Sequence, residues 1–326
     1  MAKAILIRKT GGPDVLKWEE VRVDAPSSGQ IRIRQKAVGL NFIDVYHRSG
    51  VYPAPAAFPF TPGLEAAGVV EELGPGVDDF AVGDRIAYGV GAIGAYAEER
   101  LVPVDRIVRL PDSIDERTAA AMMLKGMTVQ YLLRNTYRVK SGDTILIHAA
   151  AGGVGLIACQ WAKHLGATVI GTVGTEAKAR LAKENGCDHP IVYTNEDFVE
   201  RVRDLTGGRG VPVVYDSVGN DTFMKSLECL SPLGMMVSFG QSSGVVPPFE
   251  IRTLSQKGSL FLTRPSLMTY AAKREDLESM AVELFEVITK KAVKITIGQT
   301  FPLSDAAEAH RALQARGTTG STLLIP

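Results

Sequence analysis

The segment Thr144-Ile-Leu-Ile-His-Ala-Ala-Ala-Gly-Gly-Val-Gly155 constrains the fold more than any other part of this chain. A short apolar run, Thr144 to Ile147, stops at a turn of small residues, and Ile157, Trp161 and Leu165 then recur at helical spacing. Strand, tight turn and helix is the setting that makes a glycine pattern a dinucleotide site. Gly152 lets backbone approach a pyrophosphate, Gly155 lets the helix pack on the strand, and the helix's unpaired N–H groups face the phosphates. Ala150 stands where G-x-G-x-x-G has its first glycine. The competing reading is a strand–helix turn with no ligand.

The 326 residues are enough for two domains with sizeable cores. Lys plus Arg balance Asp plus Glu at 36 each, so no global field attracts nucleic acid or an acidic membrane. Cys159, Cys187 and Cys229 are widely spaced and form neither a C-x-x-C pair nor a metal cluster, which suits a reducing, cytoplasmic setting. Met1 to Arg8 is too short for a signal segment, and no apolar run approaches a membrane span. Asn220-Asp-Thr222 fits a glycosylation sequon by chance.

The first third reads as short strands punctuated by Gly and Pro, a compact barrel or sandwich. Residues 30–38 alternate apolar and polar, and Ala67 to Leu73 ends in the turn Gly74-Pro-Gly76. Two helices are expected at 116–124 and 128–134. Strand and helix then alternate. Strands are expected at 167–173, 191–193, 211–215, 235–239 and 259–263, with helices at 176–185, 196–205 and 223–230. That is a doubly wound parallel sheet, an α/β class. A long helix at 273–290, a strand and a short helix at 305–315 return to the first domain. The expected domains are 1–126 with 263–326, and an inserted 127–262.

Together these residues resemble the medium-chain dehydrogenase/reductase superfamily, with a GroES-like β-rich catalytic domain and an inserted Rossmann domain. Gly142-Asp143, Leu146, Ala150-Ala-Gly-Gly153, Gly155, Gln160 and Lys163 resemble the signature of the zinc-free quinone oxidoreductase (zeta-crystallin-like) family. Asn41-Phe-Ile-Asp-Val-Tyr46, Gly63-Leu-Glu-Ala-Ala-Gly68, Tyr215-Asp-Ser-Val-Gly219 and Ser238-Phe-Gly-Gln-Ser-Ser-Gly244 fit the same family. Zinc alcohol dehydrogenases of the superfamily carry Gly-His-Glu, whose His binds zinc. Here the triplet is Gly63-Leu64-Glu65, no cysteine precedes Cys159, and the four-cysteine lobe is missing. A tetrahedral site needs several N or S ligands, so no metal is expected.

The second Rossmann strand ends Gly171-Thr-Val-Gly174, with Gly174 where NAD-binding domains hold an acid for the ribose 2′-OH. Thr175 is the expected N-cap of the next helix, with Lys178 three residues on. A cation in the first turn opposes the helix dipole by about 0.3–1 kcal/mol, which a bound anion offsets. The 2′-phosphate of NADPH is the expected anion, with Lys178 as its counter-charge. The plain alternative is an exposed Lys178 neutralised by Glu176. The resemblance adds Tyr193 beside the adenosine phosphate and Arg316 to complete the pocket.

The resemblance also implies that Gly152, Gly153, Val154, Thr128 and Ser217 contact the cofactor. It adds Phe239, Gly240 and Ser242 of the glycine turn, with Thr263 and Arg264 after the sixth strand. It places Asn41 and Tyr46 beside nicotinamide and acceptor, with Tyr52 at the same mouth. In this reading Asn41 donates to a carbonyl or orients the ribose, and Tyr46 stacks on a flat ring or donates a proton. The bland alternative for Tyr46 is a half-buried barrel tyrosine. His47 reads as a surface or hydrogen-bonded histidine and His148 as structural. Gly240-Gln-Ser-Ser-Gly244 mimics a nucleophile elbow, but Val245-Val-Pro-Pro248 cannot supply the helix that must follow.

The expected function is metal-free, NADPH-dependent reduction of quinones by a homodimer. Reduction of the C=C bond of enones or alkenals is the enzymatic alternative. A non-catalytic NADPH-binding structural or RNA-binding protein is the alternative of another class. The sequence has no basic stripe with interleaved aromatics, so no nucleic-acid partner is expected.

Overall fold

A computed structural model describes residues 1–326. It begins with β1 (Ala2–Leu6), β2 (Lys17–Val21), β3 (Gln30–Leu40), α1 (Phe42–Ser49), β4 (Glu65–Leu73), β5 (Arg85–Tyr88), β6 (Glu99–Pro103), β7 (Val108–Arg109) and α2 (Glu116–Tyr131). Next come β8 (Thr144–Ile147), α3 (Gly153–His164), β9 (Thr168–Val173), α4 (Glu176–Glu184), β10 (His189–Val192), α5 (Phe198–Leu205), β11 (Val211–Asp216) and α6 (Phe223–Glu228). The last third holds β12 (Leu230–Ser238), α7 (Arg252–Gln256), β13 (Phe261–Thr263), α8 (Leu267–Tyr270), α9 (Arg274–Thr289), β14 (Ile297–Pro302), α10 (Ala306–Gln314) and β15 (Ser321–Ile325).

One unit comprises Met1–Met127, Tyr270–Thr289 and Ile295–Pro326. Its main sheet runs β14-β15-β3-β4-β5-β7, with β6 also paired to β3. The alternation in β3 does what its period requires. Ile31 and Ile33 face the core with Ile86 and Ile107, while Arg32 and Arg34 reach Glu72 and Glu71 on β4. β15 pairs antiparallel with β3, so the end of the chain is a strand of this first sheet.

The other unit comprises Thr128–Thr269 and Lys290–Lys294. Its six strands are all parallel, in the order β10-β9-β8-β11-β12-β13. Strand order reverses between β8 and β11, which is where ligands bind in open sheets of this kind. Leu146, Ile170, Val214 and Met236 pack under Val202, Phe223 and Leu227 of the helices.

Three expectations change. α2 is one helix through Gly126, where a break was expected. A Cβ there would lie 2.5 Å from the Leu284 side chain, so this glycine serves close packing against α9. A border at 262 would cut β13, and the second unit runs on to Thr269. That unit also includes Lys290–Lys294, because the Gln160 amide accepts from the Lys294 N–H (2.8 Å) and donates to its carbonyl (3.0 Å). No helix is long and apolar enough to cross a membrane.

Candidate active site

In the second unit the expected cofactor residues gather at the carboxyl ends of the parallel strands. After β8 the chain turns through Ala149 (φ 53), whose carbonyl accepts the Gly152 N–H at 2.9 Å. At Gly155 a Cβ would run into the Ala149 carbonyl oxygen and lie 2.7 Å from the Ala150 carbonyl carbon. Gly152 is different. Its φ is −81° and a Cβ there would meet only the Ala149 carbonyl oxygen, at 3.3 Å, so packing within the protein demands glycine here far less than at Gly155. The lack of a side chain suits a ligand that approaches the backbone. No side chain caps α3, which leaves first-turn N–H groups around Gly153 and Val154 for an anion. Ala150 is tolerated in place of the first glycine because Gly171 of β9 lies opposite. A Cβ on residue 171 would stand 2.7 Å from the Ala150 methyl.

Gly174, Thr175, Lys178 and Tyr193 come together at the ends of β9 and β10. The Thr175 hydroxyl accepts the Lys178 backbone N–H at 3.3 Å, as an N-cap does. A Cβ on Gly174 would lie 2.9 Å from the Tyr193 hydroxyl, so an acid at 174 would displace the tyrosine. Glu176 accepts from the Asn195 amide at 3.1 Å. Arg316 lies in the first unit, just after α10, with φ 57.

Ser217, Phe239, Gly240, Ser242, Thr263 and Arg264 meet at the ends of β11, β12 and β13. The Ser217 carbonyl accepts the Ser242 N–H at 3.1 Å, and Val237 of β12 is in register with Thr263. Arg264 donates to the carbonyls of Gly240 (2.7 Å) and Ser238 (3.2 Å) and to the Gln241 side chain (3.2 Å), so its guanidinium holds the glycine turn. That turn folds back through Ser243 N–H to the Val218 carbonyl (2.8 Å), and the next helix starts only at Arg252. Thr128 is buried near the end of α2.

Behind this turn lies a closed polar network. Asp216 accepts the N–H groups of Val218 (2.7 Å) and Gly219 (3.0 Å), the Thr222 hydroxyl (2.7 Å) and the Ser226 hydroxyl (2.9 Å). Ser226 has one proton and shares it between the carboxylate and the Thr222 carbonyl (2.9 Å). The His148 Nε2–H therefore donates to Ser226 Oγ (2.9 Å), and Nδ1 accepts from Thr172 Oγ1 (2.7 Å). Burial lowers the imidazole's affinity for a second proton, so His148 is a neutral tie from the end of β8 to β9 and α6.

The first unit holds Asn41, Tyr46 and Tyr52. Asn41 ends β3's extension and caps α1, in a short run that turns the chain from sheet to helix. Its Nδ2 donates to Glu65 Oε2 (2.8 Å) and to the Gly39 carbonyl (3.3 Å). Both acceptors lack protons to give, so the amide orientation is unambiguous and both amide hydrogens are committed inside the fold. Asn41 therefore presents Oδ1 outward, with both amide hydrogens held inside the fold. Glu65 also accepts from Lys125 Nζ (2.6 Å) and the Leu124 N–H (2.8 Å). Gly39 makes room for this carboxylate, since a Cβ there would overlap it. Tyr46 lies on α1, not on a barrel strand, with its ring 5.0 Å from that of Tyr52 and 6.2 Å from Phe42. His47 is half-buried beside Tyr52, and its Nδ1 is buried without a hydrogen-bond partner.

Asp44 anchors α1. Its Oδ2 accepts the Asn41 N–H (2.9 Å) and the Tyr96 hydroxyl (3.1 Å). Tyr96 Oη in turn lies 3.0 Å from His310 Nε2, and Arg48 lies 3.5 Å from His310 Nδ1. A guanidinium only donates, so Nδ1 accepts, Nε2–H donates to Tyr96, and Tyr96 donates to Asp44. The buried Arg48 is thus tied to Asp44 through two neutral groups, and to α10 by its bond to Gln314 (2.9 Å). Burial holds His310 down to about 3 and pushes the Asp44 carboxyl up to about 7. Because the folded value of Asp44 exceeds its ordinary 3.8, its contribution to stability is full below pH 3.8 and is lost as pH rises through about 7. Asp44→Asn is expected to remove a slope of about 1.4 kcal/mol per pH unit in that window. Urea unfolding of both proteins at four pH values checks this, and parallel stability–pH curves would refute it.

Comparison with known proteins adds a second line of evidence. Residues 27–112 match the model of the alcohol dehydrogenase GroES-like domain, and 153–286 that of the zinc-binding dehydrogenases. A quinone oxidoreductase of Pseudomonas aeruginosa is 52% identical over 326 residues, covering 100% of both chains. The chain belongs to the quinone oxidoreductase family of the medium-chain dehydrogenase/reductases. The solved structure of Escherichia coli quinone oxidoreductase complexed with NADPH superposes with a TM-score of 0.98, at 50% identity and 100% coverage of each chain. A 2-haloacrylate reductase of a Burkholderia species is 49% identical, covering 100% of this chain and 99% of its own.

The superfamily's zinc does not fit the residues of this quinone oxidoreductase family member. Leu64 offers no ligand, and Glu65 is already shared by Lys125, Asn41 and Leu124. The Lys125 ammonium at 2.6 Å would repel a dication. No three His, Cys, Asp or Glu side chains form a ligand set. Sequence reasoning missed Lys125, Glu65, Asp44 and His310 as members of the site's support. Lys125 left a signal, a lone charge in the apolar run Ala119 to Met127, which demands a buried partner. His310, far along the chain, left none.

Proposed function

We propose that this protein reduces quinones with NADPH by hydride transfer without a metal ion. The observation that carries the reading is the Tyr46–Tyr52 aromatic pair on and beside the helix capped by Asn41, in a site with no metal-ligand set. The relatives named quinone oxidoreductase support it, as does the NADPH bound in the Escherichia coli structure.

When bound, NADPH would supply the hydride for the acceptor. Backbone N–H groups at Gly152, Gly153 and Val154 hold the pyrophosphate. Lys178, Tyr193, Thr175 and Arg316 hold the 2′-phosphate, with Gly174 leaving room for it. Thr128, Ser217, Phe239, Gly240, Ser242 and Thr263 orient the nicotinamide end, and Arg264 keeps their turn in place. Asn41 Oδ1 accepts from a hydroxyl. The rings of Tyr46 and Tyr52 stack on the flat acceptor, and the Tyr46 hydroxyl moves a proton to its oxygen.

The kinship with a 2-haloacrylate reductase favours a second reading, reduction of an activated C=C bond. The deciding experiment follows oxidation of NADPH, and separately NADH, with 9,10-phenanthrenequinone or an enone, in the presence of a chelator. Quinone turnover that prefers NADPH and survives chelation is expected. Turnover with the enone alone transfers the assignment to the second reading, and turnover with neither overturns both.

The protein works as a homodimer in the cytoplasm in this reading. β13 is an open sheet edge whose Phe261 is 58% exposed, and open apolar edges invite pairing. Phe261→Glu is expected to shift sedimentation from dimer to monomer, and a monomeric parent protein rules the dimer out. Cys159, Cys187 and Cys229 are all free, as a reducing compartment keeps them.

A further inference from the structure

We infer that Glu65 and Lys125 are positioning residues that lock Asn41 as a pure acceptor, so that its Oδ1 takes a ribose hydroxyl of the nicotinamide cofactor and not the carbonyl of the quinone. The inference rests on the reading above that Asn41 serves the cofactor.

The geometry leaves Asn41 no freedom. A side-chain amide normally offers two donor hydrogens and one acceptor oxygen and can flip between the two faces. Here the donor side is held by the Glu65 carboxylate at 2.8 Å and the Gly39 carbonyl at 3.3 Å. A flip would set Oδ1 against a carboxylate and a carbonyl, which is repulsive. Glu65 is 0% exposed, with Lys125 Nζ beside one oxygen at 2.6 Å and the Leu124 N–H holding the other at 2.8 Å. Lys125 and Leu124 thus fix the carboxylate in place, Glu65 fixes the amide, and the amide shows its oxygen on the other side. Oδ1 carries two lone pairs, and the capping box at the start of α1 engages at most one of them, through the Asp44 N–H. The other is left for a donor from outside the protein. An oxygen recognises a hydroxyl donor and repels a quinone oxygen. Activation of the acceptor then falls to Tyr46.

The charge state of residue 41 provides the test. In Asn41→Asp, a carboxylate 2.8 Å from Glu65 would be repelled by it, whereas the protonated form donates O–H to Glu65 and shows C=O outward, as Asn41 does. Affinity for NADP+ of Asn41→Asp, measured by titration calorimetry from pH 5 to 9, is expected to match the parent protein at the acid end. It should fall about tenfold relative to the parent as pH rises. Dividing by the parent protein's curve removes the titration of the 2′-phosphate. In a second arm, Glu65→Gln with Lys125→Met replaces the carboxylate by an amide, which can donate to Asn41 Oδ1 and flip it. That pair and Asn41→Ala are each expected to weaken NADP+ about tenfold, and their combination no further. A flat ratio across pH for Asn41→Asp, or losses that multiply in the combination, overturns the lock. No loss of affinity in Asn41→Ala overturns the cofactor role of Asn41 itself, and the lock with it.

Discussion

Lys125→Met is expected to destabilise the protein by about 3–5 kcal/mol, because it leaves the Glu65 carboxylate buried and uncompensated. The pair is deeply enclosed, with side-chain exposures of 6% for Lys125 and 0% for Glu65. Surface ion pairs contribute little since water screens them, whereas here the remaining carboxylate stays buried without its counter-charge. Removing both charges in Glu65→Gln with Lys125→Met should restore most of the loss, since neutral replacement of a buried pair is often tolerated. Guanidinium unfolding of the single and paired variants measures both effects. A single variant within about 1 kcal/mol of the parent protein would show that water reaches Glu65 and that the burial argument is wrong.

Lys178→Ala is expected to lower kcat/KM with NADPH by roughly tenfold to a hundredfold, the range of a charge-assisted hydrogen bond, and to leave NADH within about twofold. The expectation follows from the position of the residue. Lys178 lies in the first turn of α4, whose N-cap Thr175 is formed, where a cation opposes the dipole and only an anion repays it. Steady-state kinetics with both nucleotides separates the outcomes. Equal losses with NADPH and NADH would mean that Lys178 supports the fold near Tyr193 and does not read the 2′-phosphate.

The two units differ in how far their local sequence went. The Rossmann-like sheet was legible strand by strand because period and punctuation agree along short, self-contained segments. Thr175 acts as the N-cap of α4, and Gly186, with φ 89, ends it, both as read from residue type alone. The expected break in α2 failed because a glycine in a helix signals weakness locally, while Leu284, more than 150 residues away in the chain, makes it a packing requirement. The place of Lys290–Lys294 was not legible for the same reason, since a hydrogen-bonded amide at Gln160 draws Lys294 into the second unit.

Fold class, family resemblance and the strand ends expected to hold a nucleotide were legible in the chain alone. These depend on hydrophobic period, on glycines at turns and on motifs read in order. What Asn41 offers depends on contacts formed in three dimensions. The direction of its amide follows from Glu65, which lies 24 residues along the chain, and from Lys125, which lies 60 beyond that. Likewise the anchoring of α1 follows from Tyr96 and His310, whose contact spans 214 residues. Hydrogen-bond direction is set by which partners surround a group in space, and local sequence period carries no information about that.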